Sequence, residues 1–207
     1  MIGAAQVHWQ STYTGKGEQQ TSWYRRHLDE SLRWIDSLDL DRGVPVIDVG
    51  AGRATLVDDL LARDFDSITL LDLSEAALAA SRDRLGAVGR NVTWKVADIR
   101  EADLRENHFG LWHDRAVFHF LTEPGDRRRY ATLARRSIHA GGHLLIATFA
   151  ADGPERCSGL PVCRFDATAL AAEFADGFTA VGDSHELHAT PDGGQQSFTY
   201  LMLRRHD

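Results

Sequence analysis

The sequence has little cysteine and no long apolar run, and both absences narrow the class of protein. Two cysteines, Cys157 and Cys163, among 207 residues are too few for a disulfide framework, so we expect reduced thiols in a cytoplasmic protein. No stretch approaches the ~18 consecutive apolar residues of a membrane span. The first residues, "MIGAAQVHWQ", lack the charged-then-apolar order of a signal peptide. We therefore expect no membrane partner.

Positive charge is also in the minority, because the formal net charge is -7. An acidic chain binds nucleic acid only when it concentrates basic residues on one face. The one dense basic stretch, "GDRRRYATLARRS" at residues 125–137, predicts a helix with an apolar stripe that includes Tyr130, Leu133 and Ala134. Its arginines then fall mainly on the solvated side, and we expect no nucleic-acid partner.

Strand and helix patterns alternate along most of the chain. Apolar strands are predicted at residues 45–49, 67–73, 91–98, from 109 onward, and at 143–150. Helices are predicted at residues 19–38, 54–64, 74–88, 124–142 and 167–175, whereas residues 1–17 show no helical pattern.

Two further strands follow at residues 178–190 and 196–205, with only the turn "PDGGQ" between them. Strands joined so tightly must be antiparallel. Continuous apolar strands that alternate with helices favour a parallel sheet covered on both faces. The predicted fold class is therefore α/β: a Rossmann-like seven-stranded sheet of five parallel strands plus a C-terminal antiparallel hairpin, flanked by helices.

Three consecutive strands of the predicted sheet end in an acidic residue, which indicates a nucleoside ligand. Asp48 lies at the end of the first strand, Asp72 at the end of the second and Asp98 at the end of the third. Ligands of open parallel sheets bind beyond the carboxyl ends of the strands. Asp72 can accept hydrogen bonds from both ribose hydroxyls, and Asp98 with Ile99 suits an adenine edge.

The glycine turn after the first strand departs from other nucleotide-binding patterns. Gly50 and Gly52 match the first two positions of the dinucleotide fingerprint, but Thr55 occupies its last position. No Gly-Lys-Ser/Thr follows the turn, so it is not a P-loop. Asp48 before the glycines disfavours a pyrophosphate and favours a cation, such as the amino or sulfonium side of S-adenosylmethionine.

The stretch "VIDVGAGRA" at residues 46–54 resembles the first motif of class I S-adenosylmethionine-dependent methyltransferases. "LLDLS", "VADI" and "LWHDRAVFHFL" resemble their second, third and fourth motifs, so the resemblance covers about residues 40–205. "WHDRAVFHFL" is similar to the version in thiopurine- and tellurite-type small-molecule methyltransferases. Ala54 replaces the usual third glycine. The Asn/Asp-Pro-Pro-aromatic motif is absent, which argues against DNA methylation.

This resemblance implies that S-adenosylmethionine is the cofactor and S-adenosylhomocysteine the product. It implies a methyltransferase domain at residues 41–207, preceded by an aromatic lid and helix at residues 1–40. An aromatic lid would exclude water and offer a ring face to the sulfonium. The alternative is that the aromatic residues of this segment simply pack on the domain. The predicted cofactor-binding residues are Asp48, Gly50, Ala51, Gly52, Asp72, Leu73, Asp98, Ile99, Tyr13 and Trp23.

Candidate catalytic residues follow the fourth strand, in a region that faces the methyl group in the family. Methyl transfer is an in-line displacement from an activated leaving group, so positioning supplies most of the acceleration. A general base is needed only for an acceptor that is protonated at neutral pH. His119 is the predicted base or substrate contact, beside His113, while Asp114 contacts the methionine part or orients the loop. Alternatively, His119 is an ordinary half-buried histidine packed between phenylalanines.

Arg115, Tyr24 and Cys157 are the predicted substrate contacts. Arg115 either pairs with Asp114 or Asp48, or binds an acidic substrate. The two cysteines in "ERCSGLPVCRF" at residues 155–165 are spaced too widely for a zinc-binding Cys-x-x-Cys pair, so no metal is expected.

The predicted function is methyl transfer from S-adenosylmethionine to a small-molecule acceptor, at a thiol, an amine or another heteroatom. Two alternatives stay open: a protein lysine methyltransferase, and a non-catalytic methyltransferase-like subunit that binds the cofactor. We expect a monomer or a homodimer. The acceptor itself is set by the lid and by residues 150–177, neither of which carries a motif.

Overall fold

The computed structural model describes residues 3–15 and 21–206, which form two compact units. The first unit ends at Ala102 and the second begins at Asp103. The predicted lid segment, residues 1–40, lies within the first unit. No helix in the described part of the chain is long and apolar enough to cross a membrane.

Three parallel strands form the centre of the first unit, in the order β3-β2-β1. All four residues of β1 are buried, as expected for a strand covered on both faces. Ser74 caps α4, because its hydroxyl accepts a hydrogen bond from the amide of Ala77 at 3.2 Å. The elements are α1 (Ala4–Gly15), α2 (Asp29–Ser37), β1 (Val46–Val49), α3 (Leu56–Leu61), β2 (Ile68–Asp72), α4 (Glu75–Leu85) and β3 (Thr93–Val96).

Four strands form the sheet of the second unit, in the order β4-β5-β9-β8. β4 and β5 are parallel, whereas β9 runs antiparallel to both β5 and β8. The short strands β6 and β7 form a separate two-stranded ribbon. The elements are β4 (Phe109–Arg115), α5 (Pro124–Ser137), β5 (Ile138–Phe149), β6 (Arg156–Cys157), β7 (Leu160–Pro161), α6 (Ala167–Glu173), β8 (Phe178–Ala189) and β9 (Gln195–Arg205).

The two units together supply the seven strands of a mixed Rossmann-like sheet with a C-terminal antiparallel hairpin and flanking helices. The predicted fold class is confirmed. In each unit the carboxyl ends of the parallel strands carry the residues that the sequence marks as functional: Asp48 and Asp72 in the first, Asp114 and Arg115 in the second.

The N-terminal helix α1 lies in a segment to which the sequence patterns assigned no helix. Only Tyr13 of α1 is buried, so the helix has no apolar stripe for a periodicity argument to detect. Tertiary contacts stabilise it instead, since the side-chain oxygen of Gln10 accepts hydrogen bonds from the Ser74 hydroxyl and the Ala76 amide at the start of α4.

Two other helices are shorter than predicted. The helix expected over residues 19–38 begins only at Asp29, and residues 19 and 20 lie outside the described part of the chain. The helix expected over residues 124–142 ends at Ser137. Ile138 is extended and pairs with Phe109, so β5 begins well before its predicted start at residue 143.

Candidate functional site

The glycine turn that follows β1 is held against the end of β2. The amides of Gly50 and Ala51 both donate to the carbonyl of Leu71, at 2.7 and 3.2 Å. Gly50 has a φ of 69° and Gly52 a φ of 53°, a left-handed conformation that favours glycine. The backbone therefore turns sharply at the carboxyl end of β1, where an open sheet presents its ligand.

Asp72 joins this turn to the start of α4. One carboxylate oxygen accepts from the amide of Gly52 at 2.9 Å, and the other accepts from the amide of Ser74 at 2.7 Å. The side chain is buried, and this burial raises the pKa of Asp72 to about 6, with the nearby charge of Asp48 acting in the same direction. The carboxylate is a fixed acceptor whose ionisation lies near neutral pH.

The acids Asp48 and Asp98, together with Ile99, lie at the same edge of the first unit. Asp48 is buried within β1, and Ile99 is buried after β3. Asp98 is half-buried and binds the guanidinium of Arg100, with an Nε–Oδ1 distance of 2.9 Å. Burial alone would raise the pKa of Asp98, but its hydrogen bonds to Arg100 outweigh that effect and lower it.

Three aromatic rings meet beside the glycine turn. The ring centroid of Trp23 lies 5.7 Å from that of Trp9 and 6.3 Å from that of Tyr13. Arg53, in the turn itself, donates to the carbonyl of Tyr13 and places its guanidinium 5.5 Å from that ring. A Cβ atom at Gly52 would overlap the Tyr13 hydroxyl, so α1 approaches the turn closely.

The remaining predicted aromatic contact, Tyr24, lies in a turn before α2. Its amide donates to the carbonyl of Thr21 at 3.0 Å, and its side chain is half-buried. Trp23 and Tyr24 therefore precede α2, which begins at Asp29, although the predicted helix over residues 19–38 contained them.

In the second unit, Asp114 stabilises the loop that follows β4. Its carboxylate accepts from the amide of Val117 at 2.9 Å, from the amide of Phe118 at 3.2 Å and from the hydroxyl of Tyr130 at 2.6 Å. Trp112 in turn donates to the Tyr130 hydroxyl at 2.8 Å. Burial raises the pKa of Asp114 to about 6. This arrangement fits the loop-orienting role for Asp114.

His119 lies in a 3₁₀ turn, Phe118–Phe120, and is fully buried. Its Nδ1 accepts a hydrogen bond from the amide of Phe149 at 3.2 Å, and the two rings lie 4.7 Å apart. Burial, and then the charge of Arg115, lower the pKa of His119 to about 3. A pKa this low makes the ring a weak base, and its Nδ1 lone pair already accepts the Phe149 amide, so neither feature favours the general-base role.

Arg115 at the end of β4 belongs to a buried group of polar and aromatic side chains. Its Nε donates to the hydroxyl of Tyr200 at 3.0 Å, that hydroxyl donates to Glu186 at 2.9 Å, and its guanidinium stacks 4.5 Å from the ring centroid of Phe198. Arg115 also forms an ion pair with Glu186, 3.7 Å away. We call Arg115, His119, Phe149, Glu186, Phe198 and Tyr200 the acceptor-face cluster.

The other predicted residues of the second unit are buried around these elements. His113 is buried within β4, opposite Leu145 of β5. Cys157 is buried in β6, whereas Cys163 is half-buried with its sulfur 3.7 Å from a guanidinium nitrogen of Arg127. Over residues 3–15 and 21–206, no group of three or more His, Cys, Asp or Glu side chains is arranged to hold a metal ion.

Residues 46–142 match a family model described as a methyltransferase domain. This stretch begins at β1, contains the glycine turn and Asp72, and continues into β5. Residues 46–142 are therefore a methyltransferase domain of the class I S-adenosylmethionine-dependent type. S-adenosylmethionine is accordingly the cofactor. The more specific similarity to thiopurine- and tellurite-type enzymes stays a prediction.

Relatives of this methyltransferase include enzymes with different acceptors. It is 23% identical over 144 residues to EEF1A lysine methyltransferase 2 of Danio rerio, a match that covers 66% of this chain and 62% of that protein. The chain thus spans less than two thirds of that relative. A match of 22% identity to the Homo sapiens protein of the same name covers 83% of this chain and 72% of the relative.

A solved structure illustrates the same fold in a small-molecule enzyme. Burkholderia thailandensis 1,6-didemethyltoxoflavin-N1-methyltransferase, with its substrate and S-adenosylhomocysteine bound, aligns with a TM-score of 0.74 and 22% identity. The alignment covers 99% of this chain and 89% of the other. At this level of identity the likeness shows the fold of the methyltransferase and leaves its acceptor open.

The sequence did not single out Phe198, Tyr200 or Glu186 for the site. Phe198 and Tyr200 are two residues apart in β9, so they share one face of the sheet, and Glu186 pairs directly with Phe198 across the hairpin. The alternation of side chains between the two faces of the predicted hairpin was a signal that could have grouped these residues. Which face meets Arg115 depends on the register between β5 and β9, and that register has no local pattern.

Proposed function

We propose that the protein transfers the methyl group of S-adenosylmethionine to a small-molecule acceptor. When bound, this cofactor supplies an activated methyl group on a sulfonium. The residues proposed to hold it are Asp48, Gly50, Ala51, Gly52, Asp72, Leu73, Asp98, Ile99, Tyr13 and Trp23.

Two features of the first unit fit this cofactor. Asp72 offers a buried carboxylate whose orientation is fixed by two backbone amides, which suits the acceptance of hydrogen bonds from ribose hydroxyls. The rings of Trp9, Tyr13 and Trp23 form an aromatic wall beside the glycine turn. Such a wall excludes water and is compatible with a positively charged sulfonium.

The observation that carries the small-molecule acceptor is the enclosed character of the acceptor-face cluster. Phe149 and Phe198 are fully buried, and the side chain of Arg115 is only 6% exposed. Glu186 accepts a hydrogen bond from the Tyr200 hydroxyl and lies beside Arg115. The negative charge of Glu186 is therefore balanced within the cluster. A lysine ammonium would require an acid that is free to receive it, whereas this surface suits a compact aromatic molecule.

Protein lysine methylation is the second candidate function, and the sequence relatives favour it. The matched relatives in Danio rerio and Homo sapiens are named EEF1A lysine methyltransferase 2. A protein acceptor would have to insert one lysine side chain next to the cluster, with its ammonium deprotonated before transfer.

The two functions separate in a transfer assay with S-adenosylmethionine that carries a deuterated methyl group. Thiols, amines, phenols and carboxylates form one arm and a protein extract forms the other, with products followed by mass spectrometry. We expect labelled small molecules with wild-type protein, loss of label with Asp72→Ala, and unchanged label with Asp66→Ala, an exposed acid elsewhere in the first unit. Label confined to protein lysines would establish the second candidate, and no label in either arm would contradict both.

A further inference from the structure

The hydrogen bond inside the acceptor-face cluster determines where His119 carries its proton. The amide of Phe149 is a donor, so Nδ1 of His119 must be the acceptor at 3.2 Å and carries no hydrogen. A neutral imidazole has one N–H, which must then lie on Nε2. His119 therefore presents a donor, and not a proton acceptor, through its second nitrogen.

That donor is left without a protein partner. Nε2 of His119 is buried and has no hydrogen-bond partner among the residues that the structure describes. Buried polar atoms are nearly always paired, because an unpaired one loses its hydration without compensation. A fully enclosed N–H next to a predicted acceptor site thus points to a ligand atom that accepts it.

The neighbours of His119 keep the ring neutral. Burial disfavours the charged form, and Arg115 of β4 repels a second proton, so both lower the pKa of His119. On the adjoining segment the amide of Cys163 donates to the carbonyl of His119 at 2.8 Å, and the amide of Phe165 donates to the carbonyl of Phe149 at 3.0 Å. These two bonds hold the segment before α6 against the same two residues, so the cluster stays enclosed.

We propose that Nε2–H of His119 donates a hydrogen bond to a carbonyl or carboxylate oxygen of the methyl acceptor, and that His119 does not act as a base. The rings of Phe120 and Phe149 lie 4.5 and 4.7 Å from that of His119, and they favour an acceptor whose body is flat and apolar. The inference rests on the proposed function, because it names His119 as the residue that binds an oxygen atom of the proposed small-molecule acceptor.

Nuclear magnetic resonance of the protein alone tests the proton position. We expect a long-range proton–nitrogen spectrum to show His119 as the neutral Nε2–H tautomer at pH 7.5 and unchanged at pH 5.5, with its signals assigned by their loss in His119→Gln. A hydrogen on Nδ1, or an imidazolium at pH 5.5, would overturn the inference. This readout needs no methyl transfer, so it is independent of the proposed function.

A matched pair of phenols tests the contact itself. With S-adenosylhomocysteine present, 4-hydroxyacetophenone should bind wild-type protein about fivefold to tenfold more tightly than 4-ethylphenol, because only the former carries a carbonyl oxygen to accept from Nε2–H. His119→Gln places an amide N–H near the Nε2 position and should keep the preference. His119→Asn keeps an acceptor for the Phe149 amide but loses the donor, so it should abolish the preference.

Equal binding of the two phenols by the wild-type protein, no binding of the ketone, or a preference that survives in His119→Asn would overturn the role of His119. Methyl transfer to other acceptors would still stand in each of these cases. Absence of S-adenosylhomocysteine binding would instead count against the proposed function, so the two failures are distinguishable.

Discussion

Ionisation of Asp72 has opposite effects on the stability of the fold and on cofactor binding. Burial raises its pKa to about 6 from an ordinary 3.8, so the folded protein holds this proton more tightly than the unfolded chain. Its contribution to the free energy of unfolding is therefore fully present below pH 3.8 and is lost as the pH rises through about 6. Cofactor binding runs the other way, because ribose hydroxyls donate to the ionised carboxylate.

Affinity for S-adenosylhomocysteine should consequently fall as the pH decreases from 8 to 5. With a pKa of about 6, roughly one tenth of Asp72 is ionised at pH 5, so we expect about tenfold weaker binding there. Calorimetric titration at a series of pH values measures this. Asp72→Asn retains Asp114, which has a similar pKa, and should bind weakly with no such pH dependence. A flat wild-type profile would contradict the ionised-acceptor role.

At the scale of secondary-structure elements, helix α1 packs closely against the glycine turn that follows β1. Gly52 has a φ of 53°, and a Cβ atom there would overlap the Tyr13 hydroxyl of α1. We expect Gly52→Ala to strain the turn, displace α1 and speed chymotrypsin cleavage within that helix. Adding S-adenosylhomocysteine should slow cleavage in the wild-type protein but much less in the variant.

The double variant Gly52→Ala with Tyr13→Phe separates the overlap from the strain. Removing the hydroxyl leaves the ring carbon Cζ as the next atom, 3.2 Å from the added Cβ, so part of the overlap is relieved. Cleavage of α1 should then move back toward the wild-type rate, while the backbone strain at Gly52 keeps cofactor binding weak. Equal cleavage in wild type and Gly52→Ala would show that α1 does not depend on this contact.

The hydroxyl of Tyr130 in α5 helps to hold the loop that follows β4, together with Arg127, which donates to the carbonyls of Leu121 and Thr122. Tyr130 donates to the buried Asp114 carboxylate and accepts from Trp112, so Tyr130→Phe leaves both groups short of a partner. We expect the free energy of unfolding to fall by about 2 kcal/mol, as for a buried hydrogen bond to a charged group. Chemical denaturation measures the loss, with Tyr24→Phe in the half-buried turn as the control. Equal stabilities of the two variants would contradict this account.

At the scale of the whole molecule, the alternating apolar segments were enough to predict the fold. Each buried strand carries its own continuous apolar run, and the short turn before β9 requires an antiparallel hairpin. The helix α1 could not be predicted, because only Tyr13 of its twelve residues is buried. It is stabilised by the hydrogen bonds that Gln10 accepts from Ser74 and Ala76 at the start of α4, which is distant in sequence.

The cofactor side of the site was more predictable than the acceptor side. Asp48, Gly50, Gly52 and Asp72 lie in short motifs at strand ends, so local pattern and topology together make them the proposed cofactor-binding residues. Burial, and then Arg115, lower the pKa of His119, and its hydrogen bond comes from the distant Phe149 amide. No sequence pattern near His119 reveals that burial or that bond.

Calorimetric titration with S-adenosylhomocysteine tests most directly whether the strand ends of the first unit hold S-adenosylmethionine. We expect wild-type protein to bind one equivalent. Asp72→Ala should bind at least about 30-fold more weakly, since a loss of about 2 kcal/mol is expected when a charged acceptor is removed. Asp66→Ala, at an exposed position, should match the wild type. No binding by the wild-type protein, or equal binding by Asp72→Ala, would contradict the account.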